Sequence, residues 1–263
     1  VRASQTHTPA AAVADLVVVG GVDPSGGAGL LRDIATAAAW GAHAWAVGTA
    51  WTEQGEGVHQ VEPRPPRAVR EALAHALGRT PTAVKLGMAV GPATAVAILE
   101  ALARYAGPVV MDPVLASTRG GRLWEGGARE MLPLARRATL LTPNALEAAA
   151  LTGRAVSTAA EAEAAGRELV EREGLAAVLV KGGHLTPADG KVIDVLVTPA
   201  EVQRFVRPWV AGANPRGTGC ALATAIAIEL GRDRTLTAAV ASATAWLAQA
   251  IARARDVGGE HQL

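Results

Sequence analysis

Short apolar runs recur along this chain, and the stretches between them are long enough for helices. Leu16–Gly20, Ala44–Thr49, Ala83–Leu86, Val109–Asp112, Ala138–Leu141 and Ala176–Lys181 read as strands. Ala28–Trp40, Arg67–Leu77, Ala93–Ala103, Ala128–Pro133, Ala145–Leu151 and Ala159–Glu173 read as helices between or after them. Strands joined by helical crossovers run parallel, and a parallel sheet needs both faces covered. The expected class is therefore α/β: one doubly wound, mostly parallel sheet with helices on both faces. Near-continuous apolar runs such as Val17–Val19 and Val178–Val180 fit its centre. After Lys181 the rhythm changes, since Lys191–Thr198 and Glu201–Val206 flank Pro199 at hairpin distance and predict a small antiparallel extension. Two long helices, Thr218–Leu230 and Leu236–Ala254, close the pattern. Pro63–Pro66 reads as a helix-start signal, not a linker. Residues 1–13 read as a flexible lead-in and residues 14–263 as one domain.

Composition narrows the partners. Half of the 263 residues are hydrophobic, enough for a large core, and 25 basic against 24 acidic residues leave a formal charge of +1. No global field gathers nucleic acid or an anionic membrane. The single Cys220 excludes an internal disulfide, the histidines show no metal-ligand spacing that would make a structural zinc site expected, and no secretory or membrane-spanning run interrupts the pattern, so the expectation is a cytoplasmic protein. The six tryptophans are spread along the chain and form no stacking platform for single strands.

In a doubly wound sheet, ligands bind beyond the carboxyl ends of the strands. Four segments qualify by position: Gly20–Gly29, Asp112–Gly121, Lys181–His184 and Gly212–Cys220. The first, GGVDPSGGAG, is neither a dinucleotide fingerprint nor a Walker A loop. Its glycines let backbone N–H groups approach a ligand, and Asp23 is either an acceptor for a hydroxyl or amine or the cap of a turn. The last contains Gly217-Thr218-Gly219-Cys220 opening directly into an apolar helix, where free N–H groups and the helix dipole favour an anion. Those same effects are expected to lower the Cys220 thiol pKa and make it a base for transfer of a phosphoryl group to an alcohol. The alternative is a buried structural cysteine. Asp112 in MDPV and Glu147 in TPNALEA are candidate Mg²⁺ carboxylates or helix caps. Lys181 in KGGH is placed to reach phosphate, and His184 is either a ligand contact or a structural histidine.

The order of these motifs resembles the hydroxymethylpyrimidine and phosphomethylpyrimidine kinases of thiamine biosynthesis, within the ribokinase-like superfamily. The matching pieces are DPSGGAG at Asp23–Gly29, TEQ…GVH at Thr52–His59, KLGM at Lys85–Met88, MDPV at Met111–Val114, TPNALEAAALTG at Thr142–Gly153, KGGH at Lys181–His184 and GTGC at Gly217–Cys220. The resemblance implies ATP-dependent phosphorylation of the pyrimidine alcohol and of its monophosphate, with Mg²⁺, by a homodimer. It implies pyrimidine contacts from Gly21, Asp23, Gln54, Met88 and Val114. It also implies a catalytic role for Cys220 with Gly217 and Gly219, nucleotide contacts from Lys181, Thr218, Asn144 and Glu147, and metal binding at Asp112 and Glu147.

Three stretches depart from the family's pattern. Gln54-Gly55-Glu56 stands where Gln-Asn-Thr is usual, Asn214-Pro215-Arg216 where Asn-Thr-His precedes the last turn, and Leu115-Ala116-Ser117-Thr118 where a lysine is common. The rival readings are a pyridoxal or pyridoxine kinase, which shares the fold and a similar turn, and a non-catalytic pyrimidine-binding regulator.

Overall fold

The computed structural model describes residues 14–54, 58–117, 120–185, 190–210, 215–257 and 260–263, with only the backbone at 54, 58, 59, 184, 255–257 and 260–262. In chain order, β1 (Asp15–Val22) leads to α1 (Gly29–Ala39), then β2 (His43–Gln54), β3 (Val58–Pro63), α2 (Pro66–Leu77) and β4 (Ala83–Leu86). Next come α3 (Pro92–Ala101), β5 (Val109–Met111), the short α4 (Leu132–Ala135), β6 (Leu140–Leu141), α5 (Ala145–Thr152) and α6 (Ala159–Glu171). The chain continues through β7 (Val178–Val180), β8 (Lys191–Val197), β9 (Val202–Pro208), α7 (Thr218–Gly231), α8 (Leu236–Ala252), β10 (Arg255–Val257) and β11 (Glu260–Gln262).

Nine strands form one sheet in the order β3-β2-β1-β4-β5-β6-β7-β8-β9. The run from β2 to β7 is parallel, and β3, β8 and β9 add antiparallel edges. This is the expected α/β class with the expected hairpin after Lys181. Two elements go beyond the expectation. β3, VHQVEP, pairs with the end of β2 as a second antiparallel edge; its polar composition and closing Pro63 suit a strand with one neighbour only. Pro66 does open α2, as anticipated. The terminal β10–β11 pair forms its own small ribbon.

Helices sort by the apolar face they carry. One core, with Leu73, Ile98, Leu102, Leu151 and Leu169, sits under α2, α3, α5 and α6. The other, with Ala37, Leu222, Ile226, Val240 and Leu247, sits under α1, α7 and α8. α7 is apolar nearly all round, and nine successive residues from Ala221 to Glu229 are buried, as a helix wedged between the sheet and two neighbours must be. Strand order reverses between β1 and β4, so the crevice for a ligand opens there, beside the last loop that feeds α7.

Candidate active site

All four segments chosen from the sequence, together with the loop after β4, line one cleft beyond the strand ends. Its walls include Gly21, Met88, Asp112, Val114, Asn144, Glu147, Lys181 and Gly217 to Cys220. The first and last loops, far apart in sequence, interlock. Gly217 has φ of 75°, and a Cβ there would lie 2.3 Å from the Gly27 carbonyl oxygen. That contact, with its left-handed backbone, explains why glycine opens α7. Gly217→Ala is expected to destabilise the protein by more than the roughly 1–2 kcal/mol of left-handed strain alone. Gly127→Ala, where φ is −72° and no atom comes within 4 Å of the added Cβ, should melt like the parent.

Asp112, at the end of β5, and Lys181, at the end of β7, meet on the cleft floor, with Nζ 2.5 Å from Oδ1. Glu147 Oε2 lies 4.0 Å from the same ammonium. The TPN turn sets this up. Asn144 caps α5 by accepting from Glu147 N at 2.9 Å, while Glu147 Oε2 accepts from Asn144 N at 2.7 Å. Lys181 N donates to Pro143 O at 2.8 Å, and Thr142 Oγ1 to Asp112 Oδ1 at 3.3 Å. Glu147 is thus a cap and a cleft carboxylate together. Burial first, and the Asp112 charge after it, push its pKa up to about 7 although Lys181 pulls it down. The cluster therefore favours an added cation. Among the described residues no three His, Cys, Asp or Glu side chains converge on a metal position. Two carboxylates suit Mg²⁺, which keeps waters and takes phosphate oxygens as its other ligands.

Cys220 lies in the first turn of α7, partly accessible and accepting a hydrogen bond from Gly29 N–H. The expected fall in its pKa is not what the structure gives. Desolvation dominates and pushes the thiol up to about 11, against the opposing pull of Lys85 and the Gly29 N–H. A helix start favours an anion, but enclosure by protein costs more than the dipole returns. Gly219 faces Lys181, whose Nζ would be 3.0 Å from an added Cβ, so its missing side chain keeps the ammonium close to the turn.

The opposite wall is apolar. Met88 Sδ would lie 2.7 Å from a Cβ on Gly21, so the thioether rests on the glycine backbone. Ala50, Met88, Val90 and Leu123 form a small cluster there with Val114 packed against it. Asp23 is already engaged. Its Oδ1 accepts from Ser25 N at 3.0 Å and Ser25 Oγ at 2.8 Å, and its Oδ2 from Arg216 Nη2 at 2.9 Å. Arg216 Nη1 also donates to Ser25 Oγ at 3.0 Å. The cap-like reading of Asp23 thus applies, extended by a buried ion pair that ties the two loops. The Gln54 and His184 side chains, Glu56, Asn214 and Thr118 lie outside the described residues; the Gln54 backbone pairs with Val58.

Sequence reasoning gave no role to Lys85, Asp33, Asp194 or Arg207, all of which line the cleft. One signal was readable: a lysine inside the apolar strand AVKL must find a buried partner. Lys85 finds Asp33. Asp194 accepts from Gly182 N at 2.6 Å and so shapes the turn that follows Lys181.

A doubly wound sheet with a glycine-opened helix start, a floor lysine and two carboxylates at its strand ends fits a ribokinase-like phosphotransferase. The family model for phosphomethylpyrimidine kinase matches residues 23–263, and the chain belongs to that family. It is 36% identical over 243 residues to the hydroxymethylpyrimidine/phosphomethylpyrimidine kinase of Rhizobium meliloti, covering 90% of each protein. It is 37% identical over 251 residues to the thiamine biosynthesis bifunctional protein ThiED of Geobacter sulfurreducens, and there it spans 51% of the longer relative. The crystal structure of phosphomethylpyrimidine kinase from Clostridium difficile matches with a TM-score of 0.77 at 31% identity, over 90% of this chain and 99% of that one. No helix among the described residues is long and apolar enough to cross a membrane.

Proposed function

We propose that this protein transfers the γ-phosphoryl group of ATP to the hydroxymethyl oxygen of 4-amino-5-hydroxymethyl-2-methylpyrimidine, and in a second turnover to the phosphate of the product. The observation that carries the reading is the convergence of Lys181, Asp112, Glu147 and the Gly217–Cys220 turn on one floor, opposite the Gly21, Met88 and Val114 wall. Family membership gives the acceptor its identity.

The amides of Gly217, Thr218 and Gly219 receive the transferring phosphoryl oxygens at the amino end of α7, and Lys181 adds its ammonium to the same charge. Asn144 holds Glu147 in register through its reciprocal cap. Asp112 and Glu147 would hold Mg²⁺, which when bound neutralises charge on the nucleotide phosphates. The apolar wall takes the flat face of the pyrimidine, leaving its hydroxymethyl group directed at the floor. As the acceptor oxygen forms its bond to phosphorus, its O–H bond breaks and Cys220 takes the proton in its thiolate form, while the bond from phosphorus to the bridging oxygen breaks and ADP leaves.

A coupled ADP assay with Mg²⁺-ATP tests this on three acceptors: the pyrimidine alcohol, its monophosphate and pyridoxine. Turnover is expected with the first two, with kcat/KM for the alcohol well above that for pyridoxine. A preference for pyridoxine would reassign the acceptor. Pyrimidine binding without ADP formation would make the protein a sensor instead of an enzyme.

A further inference from the structure

Beneath the cleft floor lies an ion pair that the transfer step described above does not use. Lys85 on β4 and Asp33 on α1 are 1% and 0% exposed, and Lys85 Nζ lies 2.8 and 2.7 Å from the two oxygens of the Asp33 carboxylate. Thr224 Oγ1, on α7, donates to Asp33 Oδ1 at 2.9 Å. A buried pair of this kind is a weak route to stability, because well-packed apolar residues of the same volume commonly do as well or better. Its position suggests a different use.

Asp33 follows Gly29 by one helical turn on α1, and Thr224 follows Cys220 by one turn on α7, so each pair shares a helix face. Gly29 N–H donates to the Cys220 sulfur, and Thr224 donates to Asp33. These contacts form two rungs, one turn apart, between the helices that start at the first and last loops. The upper rung holds the reacting thiol, and the lower rung carries the only described lysine in β4. Lys85, Asp33 and Cys220 all line the same cleft. An added Cβ on Gly87 would lie 3.0 Å from Lys85 Nζ, so that glycine leaves the ammonium room at the floor.

We propose that the Lys85–Asp33 pair is a positioning device for phosphoryl transfer, which locks the first turn of α7 against α1 and keeps a cation under the Cys220 sulfur. The proposal rests on the transfer reading above. The charged groups around the thiol are consistent with it. Lys85 favours the thiolate, Asp33 on α1 and Asp112 at the end of β5 oppose it, and Arg32 on α1 and Lys181 at the end of β7 also interact with it. Burial acts to lower the Lys85 pKa, but Asp33, Cys220 and Asp112 more than offset it and raise it above the ordinary lysine value.

Two variants isolate the cation. Asp33→Asn keeps an acceptor for Thr224 and Lys85, and Lys85→Met/Asp33→Asn removes the charge as well. Cys220 is the only cysteine, so iodoacetamide alkylation at pH 9 reads its thiolate directly, without substrate. The double variant is expected to be alkylated about tenfold more slowly than Asp33→Asn. Its kcat should be about 10²-fold lower than that of Asp33→Asn, with KM for ATP changed less than threefold. Equal alkylation rates and equal kcat in the two variants would overturn the proposal. So would loss of cooperative melting in the double variant alone, which would make the pair a structural strut. An alkylation difference that persists with no turnover of any pyrimidine would instead fault the assignment of the reaction.

Discussion

Cys220→Ala should lower kcat by roughly 10²–10⁴-fold, the usual loss when a positioned proton acceptor is removed, while the KM values for ATP and the pyrimidine change little. The sulfur accepts a hydrogen bond from the Gly29 N–H, a contact that holds neither ATP nor the aromatic ring. Its elevated pKa gives the prediction a pH signature. With the thiol pushed up to about 11, the thiolate is a small minority near neutrality, so kcat of the parent should climb steadily from pH 7 towards pH 10. Cys220→Asp supplies an acceptor with a far lower intrinsic pKa and should retain turnover with a flatter profile. A parent profile that is level from pH 7 to pH 10 would remove Cys220 from proton transfer. The same shift bears on stability. The folded value lies above the ordinary 9.0 of the thiol, so this group's contribution is fully present below pH 9 and is lost as pH rises towards about 11. Cys220→Ala should therefore lose less stability than the parent across that window.

Asp23→Ala should act first on stability. The carboxylate is 1% exposed, and its partner Arg216 is 6% exposed. Removing it takes the carboxylate from a buried guanidinium, an event that costs about 3–5 kcal/mol. In a chain of this size that is on the order of 10 °C in Tm. Asp23→Ala/Arg216→Met, which removes both charges, should recover most of the loss, and thermal melts of the three proteins with the parent make the comparison. Both Asp23 oxygens have donors already, from Ser25 and Arg216, so a contact with the pyrimidine would have to displace one of them. If Asp23→Ala instead melts like the parent and only the pyrimidine KM rises, Asp23 belongs to the acceptor site, as the family resemblance implies.

The parts that were legible in the sequence are those set by local patterning. Val17–Val19 and Val178–Val180 announce central strands because a strand buried on both faces has no polar positions to alternate. The GTGC start of α7 is legible because a helix beginning on glycine with an apolar body has few other uses. β3 escaped because the two valines of VHQVEP stand three apart, without a strand's period of two, and the segment runs into prolines, so its pattern looks like a loop. β10 and β11 are three residues each and carry no apolar face. The ion pairs were hidden for a different reason. Asp23 meets Arg216 across 193 positions, and Asp33 meets Lys85 across 52, and no local period records such meetings. The Cys220 pKa was misjudged because the sequence displays the favourable helix end but not the depth at which the sulfur sits.

In the proposed reaction the phosphoryl group moves in a single in-line transfer at the amino end of α7, with Cys220 accepting a proton and never a phosphoryl group. The most direct test of that route is the stereochemical course of the reaction, using ATP made chiral at the γ-phosphorus with oxygen isotopes and reading the configuration of the pyrimidine monophosphate. Inversion is the expected result. Retention would mean two successive displacements through a phosphorylated side chain, and would rule out direct transfer to the pyrimidine.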